Sequence, residues 1–394
     1  MLKDFDLEPA IAPLLKWFTQ NARSLPWRDH PSPYHVWLSE IMLQQTRVEA
    51  VKPYYARFLK SLPDIASLAH CPEERLLKLW EGLGYYNRVR NMQKAALQVM
   101  EDYDGSLPPD YEKLRSLKGI GSYTAGAIAS IAYGIYVPAV DGNVLRILTR
   151  LTADDTDIAR ASFRSQAETV LSTLMNRLKQ RENDYPHVLN QNLAGMLNQA
   201  LMELGATVCL PNGEPLCGVC PWNGVCLAQK RDIIHTLPVK SKPKARRQEK
   251  RTVFLIRQGN RIALHRRPAS GLLAGLYEFP NIEGHYPPEK IKALFAEKNL
   301  AIASLEPLTD ARHIFSHIEW QMAGYAVWLP AKTCAPENAS GDTQPSLSSE
   351  RASGDAPILP APAELIFVEP KQALRDYAIP SAFAAYAKYL EFMN

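Results

Sequence analysis

The stretch LKGIGSYTAGAIAS, Leu117–Ser130, sets two glycines, Gly119 and Gly121, around a single isoleucine and then runs directly into small residues with helical periodicity. Glycine permits positive φ and lets another backbone come close. A helix start behind such a turn presents unpaired N–H groups and the positive end of the helix dipole, which together make an anion site. The stretch lacks the GK[ST] ending of a nucleotide-binding loop, so ATP or GTP is not implied. Upstream, PPDYEKLRSL (Pro108–Leu117) reads as a helix after a proline stop, giving helix, short hairpin, helix. Taken by itself, the glycine spacing also fits a plain elbow with no ligand. As an anion site it suits a nucleic-acid backbone better than a free nucleotide, because few of its groups reach toward bases.

Outward from the hairpin, residues 1–230 read as almost entirely helical, with Pro, Gly and Asp stops at SLPDIA, CPEERLLKLWEGLG and DGSLPPD. Between Lys240 and Arg251, KSKPKARRQEKR holds seven Lys or Arg in twelve residues and reads as a basic exposed linker, either a solvated tether or a DNA-contacting strip. Beyond it, TVFLIRQGNRIALHRR reads as strand, Gly-Asn turn, strand. HIEWQMAGYAVWL and LIFVEP are further strands, and KQALRDYAIPSAFAAYAKYLEFM closes the chain as helix. The fold class is therefore multidomain: a mostly helical domain at 1–231, a linker at 232–250, and a small α+β domain at 251–394. The Pro-, Ser- and Ala-rich run at 331–364 reads as a mobile insertion.

The chain has 394 residues and a net charge of +4, a balance that neither demands nor opposes a nucleic-acid partner. The N-terminal MLKDFDLEPA shows no secretory pattern, and the apolar Gly126–Val140 stretch is too short to span a bilayer. A cytoplasmic, nucleoid-associated protein is expected. Four of its six cysteines, Cys209, Cys217, Cys220 and Cys226, fall within eighteen residues at intervals of seven, two and five. Zinc ribbons usually carry two CxxC pairs. One CxxC with uneven flanks favours an iron–sulfur cluster ligated by four cysteines, with zinc as the alternative. Cys71 and Cys334 read as ordinary thiols.

Two carboxylates invite chemistry. Glu40 sits in a mostly apolar helix starting near Pro33, where burial would raise its pKa and suit it to donate a proton near neutral pH. The alternative is an exposed helix-face Glu. Asp141, in VPAVDGNVLRIL, reads as a helix N-cap, and a carboxylate held there can also face a developing cation. Thr46 and Glu49 fit a capping box, which would place Gln44 and Gln45 at a helix junction.

Together these pieces resemble the helix-hairpin-helix DNA glycosylases of the endonuclease III superfamily. The carriers are LKGIG (hairpin 114–128), Asp141 twenty residues after Gly121, and the cysteine loop 209–226 behind LNQALMELGA. More narrowly, SEIMLQQTRV, EGLGYYNRVRN and GSYTAGAI resemble the A/G-specific, MutY-type adenine DNA glycosylases. LHRRPASGLLAGLYEFP and HIFSHIEW resemble the Nudix-like 8-oxoguanine-recognition domain of that family.

The resemblance implies base-excision repair of adenine opposite 8-oxoguanine or guanine in double-stranded DNA, by a monomer carrying a [4Fe-4S] cluster. It assigns Glu40 as general acid, Asp141 as stabiliser of the oxocarbenium ion, and Tyr123 and Asn143 as their supports. It places Gln45 and Tyr85 inside the helix beside the lesion pair, with Gly119 and Gly121 on DNA phosphate. It lines the adenine pocket with Arg23, Trp27, Arg28 and Glu203, and senses 8-oxoguanine with Phe315, Ser316 and His317. Bifunctional relatives carry a lysine where this chain has Tyr123, so a monofunctional enzyme using water is implied. The rivals are a bifunctional glycosylase/AP lyase, a Nudix-type nucleotide hydrolase, and a non-catalytic DNA-lesion binder, which would need no Glu40 and Asp141 pair. The clustered carboxylates of a Nudix catalytic box are missing after Gly271. One departure from the family pattern is the first cysteine interval, seven residues where six is usual.

Overall fold

The computed structural model describes residues 2–185, 192–241, 245–330 and 359–391. They divide into two compact units, Met1–Pro72 with Tyr85–Pro243, and Glu73–Gly84 with Lys244–Asn394. Up to residue 230 the described chain is helical: α1 (Ile11–Asn21), α2 (Pro26–Asp29), α3 (Pro33–Leu43), α4 (Val48–Ser61), α5 (Ile65–Ala69), α6 (Glu73–Trp80), α7 (Asn87–Asp102), α8 (Tyr111–Ser116), α9 (Ser122–Tyr133), α10 (Gly142–Thr152), α11 (Ala161–Gln180), α12 (Leu193–Thr207) and α13 (Leu227–Lys230).

Among the helices that are buried over most of their surface, two lack a polar face in sequence. They are α3, with Tyr34, Trp37, Leu38 and Met42 inside, and α9, with Ala125, Ala127 and Ile128 inside; the two pack together. Ser32 caps α3 by accepting the His35 N–H, and Asp110 caps α8 by accepting that of Lys113. A second core joins α1, α10, α11 and α12 through Leu14, Leu148, Phe163 and Leu197. The hairpin between α8 and α9 separates the roles of its two glycines. Gly119 has φ +79°, and a Cβ there would lie 2.7 Å from Asn91 Cβ. Gly121 is extended, and a Cβ on it would meet nothing within 4 Å, so the space before α9 is open.

The second unit is a mixed sheet of β1 (Arg247–Gln258), β2 (Arg261–Arg266), β3 (Tyr277–Glu278), β4 (Asn281–Glu283), β5 (Ser304–Ile314), β6 (Ile318–Leu329) and β7 (Leu365–Val368). Its order is β3-β2-β1-β6-β5, with β4 pairing β1 and β7 pairing β2. Among the described residues only the β1–β6 pairing is parallel. Along β1, Val253 and Leu255 enter one core while Phe254 and Ile256 enter the other, so the strand is buried on both faces. One face is covered by α14 (Pro288–Glu297), the other by α15 (Pro370–Asp376) and α16 (Ala384–Glu391). The Gly-Asn hairpin pairs Gln258 with Arg261 as expected.

Four expectations are corrected. The basic run is strand from Arg247 onward, where β1 pairs with β6, so it is not linker throughout. The closing helix is two, because Pro380 cannot continue it and the Ala378 carbonyl is taken by the Tyr277 N–H. Thr46 and Glu49 form no capping box: the Thr46 N–H is used in a turn to Leu43 O, α4 begins at Val48, and Glu49 pairs with Lys52 at 2.8 Å. Helix α6 groups with the second unit, where Lys78 Nζ donates to Leu374 O (2.5 Å) and Tyr377 O (2.9 Å) and Glu81 accepts the Ile379 N–H (2.7 Å). Of the insertion at 331–364, residues 331–358, with Cys334, lie outside the described residues; Pro362–Glu364 is a 3-10 turn.

Candidate active site

Three helices deliver the chemistry. Helix α3 carries Glu40 one turn from its end, α9 carries Tyr123 in its first turn, and Asp141 caps α10. Glu40 is 7% exposed, and its Oε2 accepts a short hydrogen bond from the Tyr123 hydroxyl. Burial, with the nearby Asp141 charge, lifts the Glu40 carboxyl to about 7 against the pull of the Tyr123 hydrogen bond and Arg28. Burial and the adjoining Glu40 and Asp141 push the Tyr123 phenol well above the ordinary tyrosine range, so it stays a neutral donor.

Asp141 Oδ1 accepts the Val144 N–H (2.8 Å), and its Oδ2 accepts from Asn143 Nδ2 (2.7 Å). Burial raises the Asp141 carboxyl, while Val144, Asn143 and Arg146 hold the rise back. One side chain thus both caps α10 and stands buried near Glu40 and Tyr123. Arg146 extends the chain of contacts, donating to Asn143 Oδ1 (2.8 Å), Gly205 O (2.6 Å) and Cys209 O (3.0 Å). Gly205 makes this approach possible: a Cβ on it would stand 2.6 Å from Asn143 Cβ.

Arg28, whose charge acts on Glu40, also binds a second buried carboxylate of opposite character. Glu203, on α12, receives Arg23 in a bidentate pair (2.6 and 2.9 Å) and Arg28 Nη2 (2.8 Å). Burial alone would raise Glu203, but the two guanidiniums outweigh it and hold its carboxyl below the usual range. Two buried carboxylates are thus pushed apart, Glu203 ionised and Glu40 poised to hold a proton, the pattern that divides acid from anion in one site. Trp27, next to Arg28 on α2, packs edge-on against Tyr55. Gln45 and Tyr85 lie at the solvent surface, each in a left-handed backbone conformation (φ +59° and +46°), and Tyr85 is 50% exposed.

All four cysteines of the 209–226 loop are free thiols and line one cavity with Ile147, Arg150, Leu204 and Trp222. Arg150 Nη1 donates to Cys209 Sγ (3.2 Å). Burial pushes the Cys217, Cys220 and Cys226 thiols up, Cys220 to about 12, so a bound metal would have to displace their protons. Among the described residues, no three His, Cys, Asp or Glu side chains are grouped to hold a single metal ion. Within the first interval Gly213 adopts a left-handed backbone conformation (φ +76°).

In the second unit, Phe315, Ser316 and His317 form the tip between β5 and β6. The tip is tied down from behind: Phe315 stacks edge-on with His313 and Trp320, Arg246 donates to Phe315 O, and the Arg247 N–H donates to His317 O. Ser316 and His317 are exposed.

Residues 38–182 match the HhH-GPD superfamily of base excision DNA repair proteins, and residues 252–389 match the NUDIX domain. The chain is 35% identical to the adenine DNA glycosylase of Mus musculus, over 82% of this chain and 72% of that one. It is 31% identical to the adenine DNA glycosylase of Buchnera aphidicola from Acyrthosiphon pisum, over 80% of this chain and 86% of that one. The chain belongs to the adenine DNA glycosylase family. Among solved structures it is similar to an endonuclease III in a non-covalent DNA complex, with a TM-score of 0.44 and 22% identity over 58% of this chain and 96% of that one.

As a member of this family the protein is a base-excision-repair DNA glycosylase and binds DNA as substrate. Its helical unit brings Glu40, Tyr123, Asp141 and Asn143 together, with Arg23, Arg28 and Glu203 alongside. Sequence reading missed Arg146 and Arg150, both buried on α10. The one local signal was slight: their i, i+4 spacing in NVLRILTR, among Val144, Leu145, Ile147 and Leu148. No described helix is long and apolar enough to cross a membrane.

Proposed function

We propose that the protein, a monomer working on cytoplasmic chromosomal DNA, removes adenine paired with 8-oxoguanine or guanine and is monofunctional. The observation that carries this reading is the buried Glu40 carboxyl, lifted to about 7 and held by Tyr123. Adenine leaves poorly unless its ring is protonated, and a base within a duplex must first be flipped out. Gln45 and Tyr85 enter the space it vacates, and the backbone N–H groups around Gly119 and Gly121 hold phosphate. The base enters the pocket beside Arg23, Trp27, Arg28 and Glu203. Because Tyr123 occupies Glu40 Oε2, the other oxygen is left to pass a proton to adenine N7. As the bond to the sugar breaks, Asp141 faces the oxocarbenium ion, its position fixed by Val144 and Asn143. Glu40, now a carboxylate, takes a proton from the incoming water. Tyr123 has no amine with which to form a Schiff base, so the strand is left intact.

Phe315, Ser316 and His317 are the sensor for the oxidised partner base, whose N7–H and O8 offer contacts that guanine lacks. Cys209, Cys217, Cys220 and Cys226 hold a [4Fe-4S] cluster. The support is the four free thiols around one cavity. When bound, the cluster supplies a cross-link that fixes the 209–226 loop against α10 and α12.

Incubation with a duplex containing adenine opposite 8-oxoguanine tests the activity: the expected product is an abasic site that breaks only after alkali. Strand scission without alkali, accompanied by efficient borohydride trapping, would overturn the monofunctional reading. Anaerobically purified protein should contain iron and sulfide; stoichiometric zinc without iron would remove the cluster.

A further inference from the structure

Arg88 is placed where helix electrostatics disfavour it. It is the second residue of α7, close to the positive end of that helix, where a cation is destabilising. Its side chain leaves α7 and reaches the opposite kind of helix end. Nη1 lies within hydrogen-bond distance of Ile41 O (2.6 Å), Met42 O (3.2 Å) and Gln44 O (2.8 Å), carbonyls at the C-terminus of α3. The Leu43 carbonyl between them is taken by the Thr46 N–H. The last turn of α3 leaves carbonyls with no partner inside the helix, and a cation there is favourable. Arg88 therefore serves as the C-terminal cap of the helix that carries Glu40.

The same guanidinium lies 5.8 Å from the centre of the Tyr85 ring, and the Arg88 N–H donates to Tyr85 O (2.8 Å). The Gln44 carbonyl it holds belongs to the peptide that leads into Gln45. Gln45 and Tyr85 are both non-glycine residues with positive φ, a conformation that persists only where neighbouring contacts impose it. One cation thus touches the loop of each exposed side chain and the end of the acid-bearing helix.

We propose that Arg88 is a positioning residue for base extrusion: by capping α3 while lying against Tyr85, it sets the stance of Gln45 and Tyr85 together. The proposal rests on the reading that these two side chains enter the DNA. Its effect is on the step that unstacks adenine, with the proton transfer at Glu40 left to act on whatever adenine arrives.

The test uses the full-length protein and single-turnover excision of adenine opposite 8-oxoguanine in two duplexes, one fully paired and one with the neighbouring pairs mismatched so that the target is already unstacked. Arg88→Met should slow the paired duplex about 10²-fold, the scale expected when reacting groups are misplaced. On the unstacked duplex its loss should be less than about tenfold. With 2-aminopurine as the target base, the fluorescence rise that reports extrusion should disappear in the variant. Should Arg88→Met fail to fold, Arg88→Lys replaces it: a point charge in place of a planar fork should show the same selective loss at smaller size. Equal loss on both duplexes, no loss on the paired one, or an undiminished 2-aminopurine signal would overturn the role. If the wild-type protein excises no adenine from either duplex, it is the proposed function that fails.

Discussion

The proposed catalytic centre and the proposed lesion-reading tip between β5 and β6 differ in exposure. Glu40 lies on a buried helix, and burial is what gives its carboxyl a proton to donate near neutral pH. Ser316 and His317 stand exposed on a hairpin, braced from behind by Trp320, Arg246 and the Arg247 backbone. On the proposed function, a proton donor needs a carboxyl removed from water, whereas a sensor for the partner base needs polar groups that DNA can reach. The difference predicts that a change at Glu40 strikes the rate on every substrate, and a change at Ser316 strikes only the choice between them.

The largest effect is expected at Glu40. Glu40→Gln keeps shape and burial but removes the proton, and should slow single-turnover excision by about 10²–10⁴-fold or more on both mispairs while lesion-duplex affinity is retained. Near-normal turnover would remove Glu40 from the acid role. A smaller effect is expected at the tip. Ser316→Ala should leave the excision rate opposite guanine unchanged and lower the preference for 8-oxoguanine by about tenfold, the worth of one base contact. An unchanged preference would move lesion reading elsewhere. The point variant is cleaner than deleting residues 232–394, which would remove the Leu374, Tyr377 and Ile379 backbone groups that Lys78 of α6 and Glu81 bind.

The same contrast extends to stability. A carboxyl raised in the folded state binds its proton more tightly there than in the unfolded chain. Its contribution is therefore full below the ordinary glutamate range and is lost as pH rises through about 7. Glu40→Gln cannot ionise, so against wild type it should gain stability between pH 5 and pH 8, on the order of 2 kcal/mol. Denaturant melts of both proteins at the two pH values would show it. A constant difference between them would mean that Glu40 titrates alike folded and unfolded. No such pH-dependent gain should follow Ser316→Ala.

How much of this was legible in the sequence varies with how local its cause is. The hairpin and the Asp141 cap are local: Gly119 needs its positive φ, and an Asp before a helix satisfies that helix's own N–H groups. Glu40 was legible through the apolar run around it. The capping box at Thr46–Glu49 failed because Gln45 turns the chain left-handed and the Thr46 N–H goes back to Leu43, delaying α4 to Val48. Strand β5 escaped notice because it is an edge strand with mostly exposed or half-exposed side chains. Arg146 and Arg150 resemble surface arginines until carbonyls of the cysteine loop arrive from elsewhere in the chain. The partners of α6 lie some 300 positions away and no local pattern announces them.

The central claim is that burial turns Glu40 into an acid near neutrality, and the pH dependence of single-turnover excision of adenine opposite 8-oxoguanine tests it most directly. Protonated Glu40 is the active form, so the rate should fall as pH rises, along a limb with its midpoint near 7, where burial places this carboxyl. A rate that stays flat from about pH 5.5 to 8.5, a span wide enough to cross any such midpoint, would contradict the account.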